Sequence, residues 1–108
     1  MNETQLVKQI LDYCTLRDLL FYRTQAGMIK TQKGGMVKMG EAGIPDITGC
    51  VNGRYVALEC KVGKNKQTES QKRFEEEKAK KHNGEYWLIY SLEEFIEKLE
   101  NFKRIMTV

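Results

Sequence analysis

The feature that most restricts the fold is a turn. Asn52-Gly53 lies between two apolar runs, and that dipeptide is the strongest short-range signal for a two-residue β-hairpin. With Val51 and Arg54 flanking the turn, facing positions sum to a constant, so Asp46 falls opposite Glu59. Two carboxylates then stand side by side on adjacent strands, with Cβ atoms roughly 4.5–5.5 Å apart. Lys61 shares the face of Glu59, because side chains alternate along a strand. Like charges directly opposite each other destabilise a sheet unless something lies between them. A divalent cation is the natural candidate. The hairpin reads as a metal site with a lysine beside it.

The second strand carries the matching alternation. Val56, Leu58, Cys60 and Val62 form an apolar face directed at a core, and Tyr55, Ala57, Glu59 and Lys61 form the other. An ordinary solvated strand also carries Glu and Lys two apart, so Glu-x-Lys alone is a weak signal. Pro45-Asp46 at the register-matched position of the preceding strand is what gives it weight. Magnesium takes oxygen ligands and keeps several waters, so a pair of carboxylates suffices to hold it, and manganese shares that preference. In phosphodiester hydrolysis such an ion lowers the pKa of its bound water. Lys61 is then placed to orient or deprotonate that water, or to stabilise charge developing on the phosphoryl oxygens.

Asp46 followed by Glu59-Cys60-Lys61 resembles the signature of the PD-(D/E)xK nuclease superfamily. The flanking residues narrow the likeness. Glu3 opens a helix, and Phe21-Tyr22-Arg23 precedes a Gly-rich segment. Gly43-Ile44-Pro45-Asp46-Ile47 and Thr68-Glu69-Ser70-Gln71-Lys72 complete the pattern. Over roughly residues 3–95 the chain resembles the virus-type replication-repair nuclease (VRR-NUC) domains. The resemblance implies a restriction-endonuclease-like α-β-β-β-α-β core, a mixed sheet flanked by helices, and cutting of DNA with divalent metal ions. It also implies the Cys60 carbonyl as a third metal ligand, a catalytic part for Gln71, and for Arg23 either a phosphate contact or support of Asp46. Small stand-alone members are similar to dimeric Holliday-junction resolvases, which implies branched or junction DNA as the substrate and a homodimer as the working form.

Two of these residues have a plain structural alternative. Glu3 lies on the Val7 and Ile10 face of its helix, where it is either a further metal ligand, direct or through water, or a favourable charge at a helix N-terminus. Gln71 is either a water or phosphate ligand near Lys61 or the partner of Thr68 in a capping box.

Charge is distributed to suit a phosphate backbone. The net charge of +3 is modest, yet residues 23–38 hold four basic residues, Arg23, Lys30, Lys33 and Lys38, and no acid. Lys64 and Lys66 follow the motif strand directly. These six are the candidate DNA contacts, whereas Lys72 through Lys81 read as a solvated helix face. Cys14, Cys50 and Cys60 are odd in number and lack zinc-site spacing, and they read as buried thiols in a reducing cytoplasm. No apolar run approaches a membrane span and no signal-peptide pattern opens the sequence.

At 108 residues the expectation is one domain, 1–108. Apolar periodicity predicts a helix over residues 3–14, a strand over 19–25 and a β-arm over 26–42 turning at Gly34-Gly35. The hairpin, a helix over 68–82, a central strand over 85–90 and a helix capped by Ser91 follow, with a short edge strand over 105–108. Trp87 and Tyr90 read as core, and His82 as a helix-end residue. Two rival functions fit the same residues: a non-catalytic DNA-binding or assembly module of this fold, and a metal-dependent phosphoesterase acting on a small nucleotide. The basic arm favours a polymeric substrate over the latter.

Overall fold

A computed structural model of the chain describes residues 1–24, 27–30, 32–39 and 41–107, with side chains placed for all of these except 27–30 and 37–39. The main sheet has four strands in the order β1-β4-β5-β6, where β1 is Phe21–Arg23, β4 Ile47–Val51, β5 Arg54–Cys60 and β6 Glu85–Ile89. β4 runs antiparallel to both β1 and β5, and β6 lies parallel to β5, so the sheet is mixed. Two further strands, β2 (Gly27–Lys30) and β3 (Met36–Met39), form a separate antiparallel arm. Three helices complete the chain: α1 (Glu3–Leu16), α2 (Glu69–Phe74) and α3 (Leu92–Met106).

The sheet is covered on both sides. α1 and α3 pack on one face, where Leu6, Val7 and Ile10 meet Ile47, Leu58, Ile89, Phe95 and Leu99. The opposite face carries a smaller cluster of Ala57 and Tyr86 under Phe74 and Ala79. Local signals start each helix. Asn2 and Gln5 form a capping box on α1, Thr68 and Gln71 form one on α2, and the Ser91 hydroxyl accepts from Glu94 N at 3.1 Å.

Hydrogen-bond register in the hairpin follows the turn. Val51 pairs with Arg54, Gly49 with Val56 and Ile47 with Leu58, and Asn52 and Gly53 both take positive φ at the bend. The arm pairs Lys30 with Met36 and Gly27 with Met39, which centres its bend on Lys33 rather than on Gly34-Gly35.

Four further expectations need correction. β6 is an edge strand, not a central one. Its apolar run instead reflects cover on both faces, Trp87 and Ile89 towards α3 and Tyr86 and Leu88 towards the α2 side. Tyr90 is exposed, and its hydroxyl donates to the Asn65 carbonyl at 2.9 Å. The final edge strand does not form: α3 runs to Met106 because Leu99, Phe102 and Met106 continue the same helical stripe, and Val108 lies outside the described residues. The helix expected over 68–82 changes winding. α2 passes into a π-helical turn, Glu75–Ala79, and then a 3₁₀ turn, Lys80–His82. Phe74 and Ala79 are five residues apart, and the wider i→i+5 winding turns both onto the sheet.

Candidate metal centre

The site grows from the open end of the hairpin. Asp46 stands one position beyond the last paired residues, Ile47 and Leu58, where the same register sets it against Glu59. Its backbone carbonyl accepts from Thr24 N at 2.9 Å, tying it to the end of β1, and its side-chain Oδ2 accepts from Cys60 N at 2.9 Å. Glu59 and Lys61 are the buried charged residues among those described, at 3 % and 6 % exposure. Lys61 Nζ lies 3.7 Å from Glu59 Oε2, and Lys61 N donates to Ile89 O at 2.9 Å. Glu59 Oε1 is buried without a hydrogen-bond partner.

A carboxylate in such a place is expensive to ionise. The Glu59 carboxyl is pushed up to about 8, first by burial, then by the negative charge of Asp46 and by the proton the two acids can share. Lys61 pulls in the other direction and Glu3 adds a smaller push upward. The long lysine contact is therefore too weak to offset desolvation and the second acid. The Cys60 thiol is likewise pushed up to about 12 by burial and by the surrounding acids, and its side chain packs in the core on the α1 and α3 face.

The donors suit a hard divalent cation. Asp46 and Glu59 present oxygen, and the unpartnered Glu59 Oε1 is a buried acceptor that a cation or its water would satisfy. Among the described residues no three His, Cys, Asp or Glu side chains gather closely enough to cage an ion alone. A carboxylate pair of this kind fits an ion that retains much of its hydration.

The loop before Asp46 is held by backbone packing. Gly43 has φ +80°, and a Cβ there would collide with the Ser70 carbonyl and come within 2.8 Å of Gln71 N. Gly43→Ala is expected to destabilise the fold by at least about 2 kcal/mol, seen as a fall of roughly 8–15 °C in the thermal midpoint. An unchanged midpoint would show that this contact does not hold the loop.

The other candidates divide. Glu3 is near enough to act on Glu59 electrostatically, while its Oε2 accepts from Asn65 Nδ2 at 2.8 Å. Gln71 Oε1 accepts from Thr68 N at 2.8 Å, so its side-chain oxygen is engaged in the cap. Arg23 is exposed on β1, paired with Ile47, and the contact to Asp46 comes from the neighbouring Thr24 backbone. Lys33 is exposed in the bend of the arm, and the side chains of Lys30 and Lys38 lie outside the described residues.

Lys64 and Lys66 are exposed on the loop that follows β5. Asn65 between them anchors that loop through its bond to Glu3 and the bond it receives from Tyr90, with Asn65 N donating to Val62 O at 3.2 Å. Neither Asn65 nor Tyr86, which lies under α2 beside the acids, stands out in the sequence. Asn65 looks like an ordinary turn residue after Gly63, and Tyr86 like one more apolar strand position.

Cys14 and Cys60 are buried free thiols, and Cys50 is only half-buried. Among the described residues no helix is long and apolar enough to cross a membrane. No family model matches the chain, and no curated protein matches it.

Proposed function

We propose that this chain is a metal-dependent endonuclease that hydrolyses DNA phosphodiester bonds, with branched or four-way junction DNA as its preferred substrate. One observation carries the reading: Glu59 and Lys61, the buried charged residues among those described, stand beside Asp46 at the end of one hairpin. Burying charge is costly, and a fold that needed only stability would gain by replacing these groups with apolar ones. Perturbed, buried titratable clusters of this kind concentrate at functional sites.

The element order supports the same reading. With the β2–β3 arm set aside, the chain runs α1-β1-β4-β5-α2-β6, the order expected of a restriction-endonuclease-like core of the VRR-NUC type. Asp46, Glu59 and the Cys60 carbonyl would hold magnesium or manganese, with Glu3 reaching it through water. When bound, the ion supplies a more acidic water and neutralises charge on the phosphate. Lys61 orients that water or meets the charge developing on the phosphoryl oxygens. Gln71 would reach the phosphate through its amide nitrogen, since its oxygen caps α2. Arg23, Lys33, Lys64 and Lys66 offer exposed cations to the DNA backbone, joined by Lys30 and Lys38 of the arm. A homodimer belongs to the proposal because each chain holds one such site and resolving a junction takes two symmetric cuts. Three free thiols suit a reducing cytoplasm.

The test is cleavage of supercoiled plasmid and of synthetic duplex, flapped and four-way DNA at equal concentration. Cutting is expected with magnesium or manganese, to cease with chelator, and to be strongest on the four-way substrate. Binding without cutting under either metal would leave a DNA-binding module in place of an enzyme.

A further inference from the structure

Among the described residues, two buried side-chain polar atoms lack a hydrogen-bond partner: Glu59 Oε1 and the Tyr86 hydroxyl. They belong together. β5 and β6 are parallel, with Ala57 paired to Tyr86 and Glu59 to Leu88, so Tyr86 stands diagonal to Glu59 on the same face. The ring is held against Phe74, with centroids 6.5 Å apart. Burial is the main influence on the phenol and raises its pKa, the nearby Gln67 side chain acts in the opposite direction, and the charges of Glu59, Glu75 and Asp46 add to the rise, so it is a neutral O–H donor. Gln67 stands alongside, outside hydrogen-bond geometry to the hydroxyl, with its amide donating to Glu75 Oε1 at 2.9 Å.

A phenylalanine would fill the same space against Phe74. The hydroxyl is an extra polar atom in a buried place, and such an atom needs a partner. A water bridging the two atoms would serve both polar groups at once.

We propose that Tyr86 is a positioning residue for Glu59: its hydroxyl donates to one enclosed water, which donates in turn to Glu59 Oε1. The link fixes the plane of the carboxylate and leaves Oε2 facing Lys61. This rests on the reading of Glu59 as a metal ligand. Partners of this kind, one step removed from the ion, hold a ligand's orientation and govern affinity for the metal.

The experiment titrates Mn²⁺ alone into wild-type protein and into Tyr86→Phe, by calorimetry without DNA. The variant is expected to bind Mn²⁺ about tenfold more weakly, with its thermal midpoint unchanged or raised. In cleavage it should need correspondingly more Mn²⁺ for half-maximal rate yet reach the wild-type rate at saturation, a split that a purely structural tyrosine would not produce. Equal Mn²⁺ affinity in the two proteins overturns the positioning role alone. No Mn²⁺ uptake by the wild type overturns both this role and the nuclease proposal. A second measurement needs no variant: a high-resolution crystal structure is expected to show a water between the two oxygens, and a pocket closed by apolar contact would overturn the link.

Discussion

Lys61→Met is expected to lower metal-dependent DNA cutting roughly a thousandfold at saturating Mn²⁺ while the domain stays folded. Lys61 is buried with its Nζ 3.7 Å from Glu59 Oε2, so methionine removes the charge and donors but keeps most of the shape. Deleting one member of a buried ion pair normally leaves a stranded charge and a large loss of stability. Here Glu59 has an escape. Its carboxyl already sits at about 8 in the folded chain, so at pH 7 it is mostly protonated, and losing the lysine strands little. Chemistry should therefore suffer far more than stability. Single-turnover cleavage of a four-way junction, paired with thermal melts of both proteins, measures the separation. A Lys61→Met protein that cuts within about tenfold of wild type would remove lysine from the reaction, since groups of this kind contribute about a hundredfold or more.

The second large effect is in stability against pH. Below about 4.5 the Glu59 carboxyl holds its proton in both the folded and unfolded chain, and it contributes no difference. Between 4.5 and about 8 the folded chain keeps a proton that the unfolded chain releases. Stability attributable to this group therefore falls as pH rises through that window and levels off above it. Each pKa unit is worth about 1.4 kcal/mol, and the loss by pH 8 is on the order of 4 kcal/mol. Burial is the main cause and the Asp46 charge the next. Glu59→Gln keeps the shape and abolishes the titration. Its denaturation curves should stay nearly flat from pH 5 to 8 in the part owed to this site, making the variant more stable than wild type at pH 8 and close to it near pH 4. Parallel pH profiles for the two proteins would mean that Glu59 ionises freely and is not desolvated by its surroundings.

Both expectations trace back to local sequence. A two-residue Asn-Gly turn admits one pairing of its flanking strands, so the Asp46–Glu59 juxtaposition and the shared face of Lys61 follow from counting outward from the bend. The helices were readable for a similar reason. Apolar spacing of 3.6 and hydroxyl caps at Thr68 and Ser91 act within a few residues of one another, whereas the Asn2 cap emerged only in the structure.

Distance along the chain set the boundary. Nothing near β6 in sequence says that it lies at the sheet's edge, because two-sided cover produces the same apolar run as a central place in the sheet. The burial of Glu59 and Lys61 is equally invisible locally, and so is the winding of the π turn, which answers to the spacing of Phe74 and Ala79 against the sheet. Asn65 acquires its place through Glu3, 62 positions away, and through Tyr90, 25 away. Tyr86 meets Glu59 only because β6 adds parallel to β5. Short-range geometry put the charged groups side by side, and long-range packing took Glu59 and Lys61 out of water, which is the main reason the Glu59 carboxyl holds its proton so far above the usual carboxylate range.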